Sequence, residues 1–166
     1  MVLPKPTPTA RPYVIRRVLD TGGPIAFGRW FWDEAGVPAG PMLITIDTAA
    51  ETLSIFRGGY EIGTTAVIYG ADTKPTPLGV FPILAKYARH FSSTYGGAPM
   101  PYTLRLTGDG VSVHGSPIDA HYATHGCIGV PTAFARKLFA AVKLGDKVVV
   151  TRGERLSLGG SVGAVK

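Results

Sequence analysis

Between Pro41 and Thr151 the chain breaks into short apolar, β-branched runs separated by turn residues, and this spacing limits the fold more than any other feature. "MLITID", "TLSIFRG" and "EIGTTAVIYG" follow one another in this way, and "TPLGVFPILAKY" continues the pattern. In "YTLRLTGDGVSVHG" the "TGDG" stretch between two alternating runs is a strong hairpin signal. With 22 glycines, 14 prolines and only 17% charged residues, the composition also favours turns over long helices. One segment reads differently. In "TAFARKLFAAVKLGD", Phe134, Leu138 and Ala141 or Val142 recur at helical spacing, with Thr132 placed to cap the start and Gly145 to end it. "KVVVT" then supplies a last strand. The expectation is a mainly β domain with one well-defined helix.

At 166 residues the chain fits one domain with a sizeable core. Residues 1–24 read as a Pro-rich linker or arm, in which "RPYVIRRVLD" holds a short strand or extended arm. The domain then covers 25–152, with its regular core at 41–152, and the Gly- and Ser-rich 153–166 read as a loose tail. Trp30, Phe31 and Trp32 stand side by side near the start of the domain. On a strand, neighbours point to opposite faces, so the two tryptophans share one face and cover an edge of the core. The functional alternative is a glycan-contacting platform.

The formal charge is +6 and the isoelectric point about 9.6. Lysines and arginines are scattered, apart from Arg16-Arg17, and no basic helix with interleaved aromatics appears, which argues against a nucleic-acid partner. No run of eighteen apolar residues exists, so no membrane-spanning helix is expected. "MVLPKPTPTARPYVIRR" has no apolar stretch ahead of a cleavage site.

Residues 112–131, "SVHGSPIDAHYATHGCIGVP", gather three of the four histidines and the only cysteine. Alternation sets Ser112 and His114 on one strand face and Val111 and Val113 on the other. Cys127 follows thirteen residues after His114, with glycine on its N-terminal side and a proline before the helix. An imidazole beside a thiol favours the thiolate, which attacks a carbonyl carbon to give a thioester. Peptide N–H groups around Cys127 are suited to an oxyanion. A third group must orient the imidazole. Asp119 lies in the segment, but a backbone carbonyl suffices, since it needs only to accept the ring N–H.

Two other readings compete. Cys127 can be a small buried apolar residue and His114 a satisfied polar one. Alternatively, His114, His121, His125 and Cys127 can hold zinc, although their spacing matches none of the common zinc patterns.

Taken together, "HG…THGCIGVP" resembles the signature of the L,D-transpeptidase catalytic domain, the YkuD family. "KPTPLGVFPI", "MPYTLRLTGDGVSVHG" and "AFARKLFAAVKLGDKVVV" are similar to the family's other segments, in the same order. The resemblance implies a β-sandwich of the L,D-transpeptidase type, with its helix after the catalytic cysteine. It also implies an exported cell-wall enzyme that needs no cofactor and no metal, whose leader would lie outside this sequence. In such enzymes the cysteine attacks a peptidoglycan stem tetrapeptide after its third residue and D-alanine leaves. An amine of a neighbouring stem then resolves the thioester, and carbapenem β-lactams acylate the same cysteine. By position, Cys127 is implied as nucleophile, His114 as general base and the Gly115 carbonyl as the group orienting His114. His125 and Gly126 would shape the oxyanion pocket, Thr124 would support that loop, and Tyr102 would line the substrate groove. The resemblance has one departure: where the family usually carries Arg or Asn two residues after the cysteine, this chain has Gly129, a position that would contact substrate. A 3→3 cross-link, a 1→3 cross-link, attachment of a protein lysine and plain hydrolysis by an L,D-carboxypeptidase all use the same thioester. A wall-binding module of the same fold without turnover is the non-enzymatic alternative.

Overall fold

The computed structural model describes residues 13–68, 75–91, 99–116, 127–153 and 161–162. The strands are β1 (Tyr13–Val14), β2 (Trp30–Trp32), β3 (Met42–Asp47), β4 (Thr52–Arg57), β5 (Tyr60–Ala66) and β6 (Gly79–Pro82). They continue with β7 (Ala85–Tyr87), β8 (Thr103–Arg105), β9 (Ser112–Gly115) and β10 (Ile128–Val130). Helix α1 (Thr132–Ala141) follows, then β11 (Lys147–Thr151) and β12 (Ser161–Val162). Six strands form one sheet in the order β2-β5-β4-β3-β11-β6, and four form a second in the order β10-β9-β8-β7. The mainly β architecture with one helix among the described residues is the expected one. Among the described residues no helix is long and apolar enough to cross a membrane.

The β-branched runs form the strands because alternate side chains can enter a shared core. Ile44, Ile46, Leu53, Ile55, Ile62, Val148 and Val150 of the larger sheet meet Leu104, Val113, Ile128 and Val130 of the smaller one. Phe134, Ala135 and Leu138 of α1 complete this core. The opposite face of the larger sheet is covered by the N-terminal segment: Ile15, only 1% exposed, packs with Leu43, Phe56 and Val149. Arg17 fastens the same segment through its guanidinium, which donates to the Glu61 carbonyl. β12 pairs antiparallel with β1, so part of the C-terminal stretch returns to the start of the described chain.

The "TGDG" segment forms the expected hairpin between β8 and β9, closed by the Leu106 N–H donating to the Val111 carbonyl at 2.8 Å. Trp30 and Trp32 share one face of β2 and meet the Phe134 ring edge-on, at centroid distances of 6.1 and 5.6 Å. The helix ends differ from expectation. Pro131 occupies the cap position with no side-chain hydrogen bond, and Thr132 is the first helical residue, because proline's fixed φ already suits helix entry. At the other end Val142 is extended, and Gly145 serves a later turn with φ +87° rather than terminating the helix. The last carbonyls are satisfied from afar. The Lys86 ammonium donates to Phe139 O and Val142 O, both at 2.7 Å, and lies 4.3 Å from the centroid of the Phe139 ring. A cation there complements the negative end of the helix.

Candidate active site

His114 sits in β9, between β8 and β10, and is 8% exposed. Its Nδ1 lies 2.9 Å from the Gly115 carbonyl oxygen. A carbonyl only accepts, so Nδ1 carries the hydrogen and Nε2 is left as the basic nitrogen. Burial holds the imidazole below its ordinary pKa, the hydrogen bond to Gly115 partly opposes this, and the charge of His90 pushes further down. The ring is therefore neutral at physiological pH, the state a general base requires.

Gly115 is itself fixed. Its N–H donates to the Pro101 carbonyl at 2.8 Å, and the next N–H, of Ser116, donates to Val130 at 2.9 Å. A Cβ on Gly115 would stand 3.2 Å from Thr132 Cα and 3.3 Å from Ala135 Cβ. The start of α1 thus lies directly over Gly115, and glycine is what lets helix and strand close to this distance. The orienting carbonyl is held by backbone on both flanks.

Cys127 leads into β10 and forms no disulfide. β10 runs parallel to β9 in a register that sets Ile128 beside Val113, Gly129 beside His114 and Val130 beside Gly115. Cys127 is two positions from Gly129 and partly exposed, and its Sγ lies 3.8 Å from the Gly110 carbonyl at the hairpin. The sheet thereby brings the cysteine and histidine segments, thirteen residues apart in sequence, into adjacent strands. A partly exposed thiol one strand from a neutral, buried imidazole is an arrangement suited to nucleophilic chemistry.

Gly129 has a different neighbourhood from that of a substrate-reaching side chain. Its N–H donates to Ile68 O at 2.8 Å and its carbonyl accepts from Ile68 N at 3.0 Å. A Cβ there would fall 2.5 Å from Ser116 Oγ and 2.7 Å from Ile68 Cγ1. The space is filled, so this residue works as a backbone bridge tying the edge of the four-stranded sheet to the chain leaving β5. Tyr102 adopts φ +55°, and its ring packs edge-on against Phe139 at 5.7 Å. Its N–H donates to the Ala88 carbonyl at 3.0 Å, in the same "MPY" turn whose Pro101 carbonyl holds Gly115. Asp119, His121, Thr124, His125 and Gly126 lie outside the described residues. Among the described residues no three potential metal-ligating side chains gather.

Sequence reasoning missed Pro101 and Ile68. Both act through main-chain atoms, which any residue carries, so neither leaves a side-chain signal. The "MPY" segment drew attention to the tyrosine, while the Gly115 contact is made by the proline before it.

Fold and geometry define a class: a β-sandwich with a carbonyl-oriented histidine beside a strand led by cysteine. The family model for the L,D-transpeptidase catalytic domain (YkuD) matches residues 41–150. L,D-transpeptidase 1 of Mycobacterium tuberculosis is 30% identical over 132 residues, covering 69% of this chain and 53% of that protein. The chain belongs to the YkuD family of L,D-transpeptidase catalytic domains, and it spans about half the length of the curated relatives it matches. Among solved structures, an LD transpeptidase in complex with imipenem superposes with a TM-score of 0.61 at 26% identity, covering 66% of this chain and 58% of that one. An L,D-transpeptidase from Stackebrandtia nassauensis shares the fold with a TM-score of 0.63 at 24% identity, covering 70% of this chain and 58% of that one.

Proposed function

We propose that this chain is a peptidoglycan L,D-transpeptidase in which Cys127 is the nucleophile and His114 the general base. The observation that carries the reading is the 2.9 Å contact between His114 Nδ1 and the Gly115 carbonyl, which fixes the tautomer that leaves Nε2 basic. The family membership supplies the reaction class.

In this mechanism Nε2 takes the Cys127 proton as sulfur attacks the carbonyl carbon of the third stem residue. The tetrahedral oxyanion is met by the Cys127 N–H together with the loop of His125 and Gly126, supported by Thr124. Collapse breaks the peptide bond, and the imidazolium returns the proton to the departing amine of D-alanine. An amine of a neighbouring stem then attacks the thioester, losing its proton to Nε2 as the thiol leaves, and the cross-link is complete. The work belongs at the cell wall, outside the cytoplasmic membrane, in a domain covering residues 25–152. β-Lactams of the carbapenem class acylate Cys127 by the same attack, in keeping with the relative held in complex with imipenem.

Mass spectrometry of products formed from disaccharide-tetrapeptide fragments, with Cys127→Ala as control, tests this. A cross-linked dimer with D-alanine released is the expected result, and its fragmentation distinguishes a 3→3 from a 1→3 link. D-Alanine loss without dimer would replace the transpeptidase by a carboxypeptidase. No Cys127-dependent change would overturn the enzyme reading in favour of a wall-binding module.

A further inference from the structure

Alternation along the four-stranded sheet decides what its two faces carry. Leu104, Val113, Ile128 and Val130 enter the core, so the residues between them turn to the opposite face. The registers, continued by one position at β10, align Cys127, Ser112, Arg105 and Ala85 in one row across that face. His114, two positions from Ser112, opens onto the same face. Arg105 therefore brings a cation to the face that holds the thiol and the imidazole. Neighbouring strands stand about 4.8 Å apart, which sets its Cα roughly 10 Å from that of Cys127.

The turn at 107–110 ties this row together. Arg105 Nε donates to Thr107 O at 2.9 Å, and Nη2 donates to Gly108 O. Cys127 Sγ and Ser112 Oγ both reach Gly110 O, at 3.8 and 2.9 Å. Arg105 is half-buried, and the two carbonyls fix its guanidinium by the Nε–Nη2 edge. A guanidinium has a second edge, with one hydrogen on each terminal nitrogen, and this suits the two oxygens of a carboxylate. Among the described residues Arg105 joins no ion pair, and the Asp109 carboxylate accepts from the Thr107 hydroxyl. Carbonyl oxygens orient a cation without neutralising it, so its attraction for an anion is kept.

We propose that Arg105 binds the C-terminal carboxylate of the donor stem peptide, the group carried by the departing D-alanine. The inference rests on the reading of the chain as acting on stem tetrapeptides. In that reaction the scissile carbonyl carbon stands about 3–3.5 Å from Sγ. The carboxylate belongs to the very next residue, and consecutive residues are spaced by about 3.8 Å. Scissile bond and carboxylate together fit between Cys127 and Arg105, with the fourth stem residue lying along the row toward β8. Carboxylates of earlier stem residues belong to the acyl side, which stays on sulfur. The terminal carboxylate keeps its charge through acylation, so the contact strengthens substrate and transition state alike and is read in KM.

The test follows release of the fourth residue by the intact chain from a disaccharide-tetrapeptide and from the same fragment ending in D-alaninamide. Wild type should use the acid roughly tenfold or more better in kcat/KM, mostly through KM. Arg105→Gln should remove that preference. A brace lost from the turn would instead lower both substrates equally and leave the preference intact. Arg105→Lys keeps the charge without the fork and should retain part of the preference, which carries the test if the glutamine variant does not fold. Equal use of acid and amide by wild type, or an unchanged preference in Arg105→Gln, would overturn the proposal. NMR titration of Cys127→Ala with both fragments separates the two readings. Tighter binding of the acid, lost on adding Arg105→Gln, beside a wild type that releases neither leaving group removes the catalytic reading and leaves the carboxylate site. Release without preference for the acid removes the carboxylate site alone.

Discussion

In the six-stranded sheet, β3 and β4 pair over six residues and β3 and β11 over five, and the side chains they send inward are almost all aliphatic. In the four-stranded sheet each strand runs three or four residues and His114 is buried in β9, while the buried polar groups of the larger sheet, Thr45, Glu61, Thr64 and Thr65, lie on β3 and β5. The first region is locked by register and apolar area, so a slip of one residue would turn its whole aliphatic set outward. Besides its short ladders, the second is tied down by main-chain contacts from irregular chain, one between Pro101 and Gly115 and a reciprocal pair between Ile68 and Gly129. Stability and chemistry are therefore carried by different parts of one sandwich. The helix joins them: Phe134 packs against the tryptophans of β2, while its first turn presses on Gly115.

This division can be broken by mutation. Ile55→Ala, in the fully buried centre of β4, is expected to cost about 3 kcal/mol of stability through lost burial and an unfilled cavity. Denaturant unfolding checks the loss, and the acylation rate per folded molecule should stay at the wild-type level. Gly129→Ala adds a methyl group where Ser116 Oγ and Ile68 Cγ1 already stand, and overpacking of this kind costs about 1–3 kcal/mol. Unlike Ile55→Ala, it should also slow acylation, because β10 carries Cys127 at its leading end. Combining it with Ile68→Ala should recover part of both effects.

Smaller effects come from the buried titratable groups, one in each region. Burial raises the pKa of Glu61 in β5, while hydrogen bonds from Ser54 and the Leu19 N–H and the charge of Arg17 oppose the shift. The native state therefore keeps this proton to higher pH than the unfolded chain, and stability falls as pH rises from the ordinary value of 4.5 through the raised one. Glu61→Gln, which keeps an acceptor for Leu19, should remove that fall in chemical unfolding measured across pH. His114 works in the opposite sense. Its pKa is lowered, so the unfolded chain takes up a proton first as pH drops below 6.5, and stability is lost from there down to the folded value. His114→Gln should flatten that slope.

The strands of the larger sheet were legible because "MLITID", "TLSIFRG" and "KVVVT" are β-branched runs between turn residues, and the hairpin because "TGDG" admits few alternatives. His114 and Cys127 were legible because few side chains do nucleophilic chemistry at neutral pH. What stayed hidden is long-range. The parallel partner of β3 is β11, about a hundred residues away, and the Lys86 that closes the helix lies 53 residues before Phe139. No local pattern encodes such pairings. The helix caps were misjudged for a related reason: Thr132 and Gly145 have the right chemistry, but the end of β10 and the distant lysine determine where α1 begins and stops.

The central claim is that Cys127 is activated by a histidine held by its neighbour's carbonyl, and its direct test is the rate of imipenem adduct formation by intact-mass spectrometry. Wild type should gain one adduct, located on Cys127 and absent in Cys127→Ala. Its rate should persist at pH below 6.5, because burial keeps His114 neutral there. His114→Gln should slow the reaction on the order of 10²-fold or more while its thermal midpoint stays close to that of wild type. A folded wild-type chain that gains no adduct, or a His114→Gln chain acylated at the wild-type rate, would contradict the account.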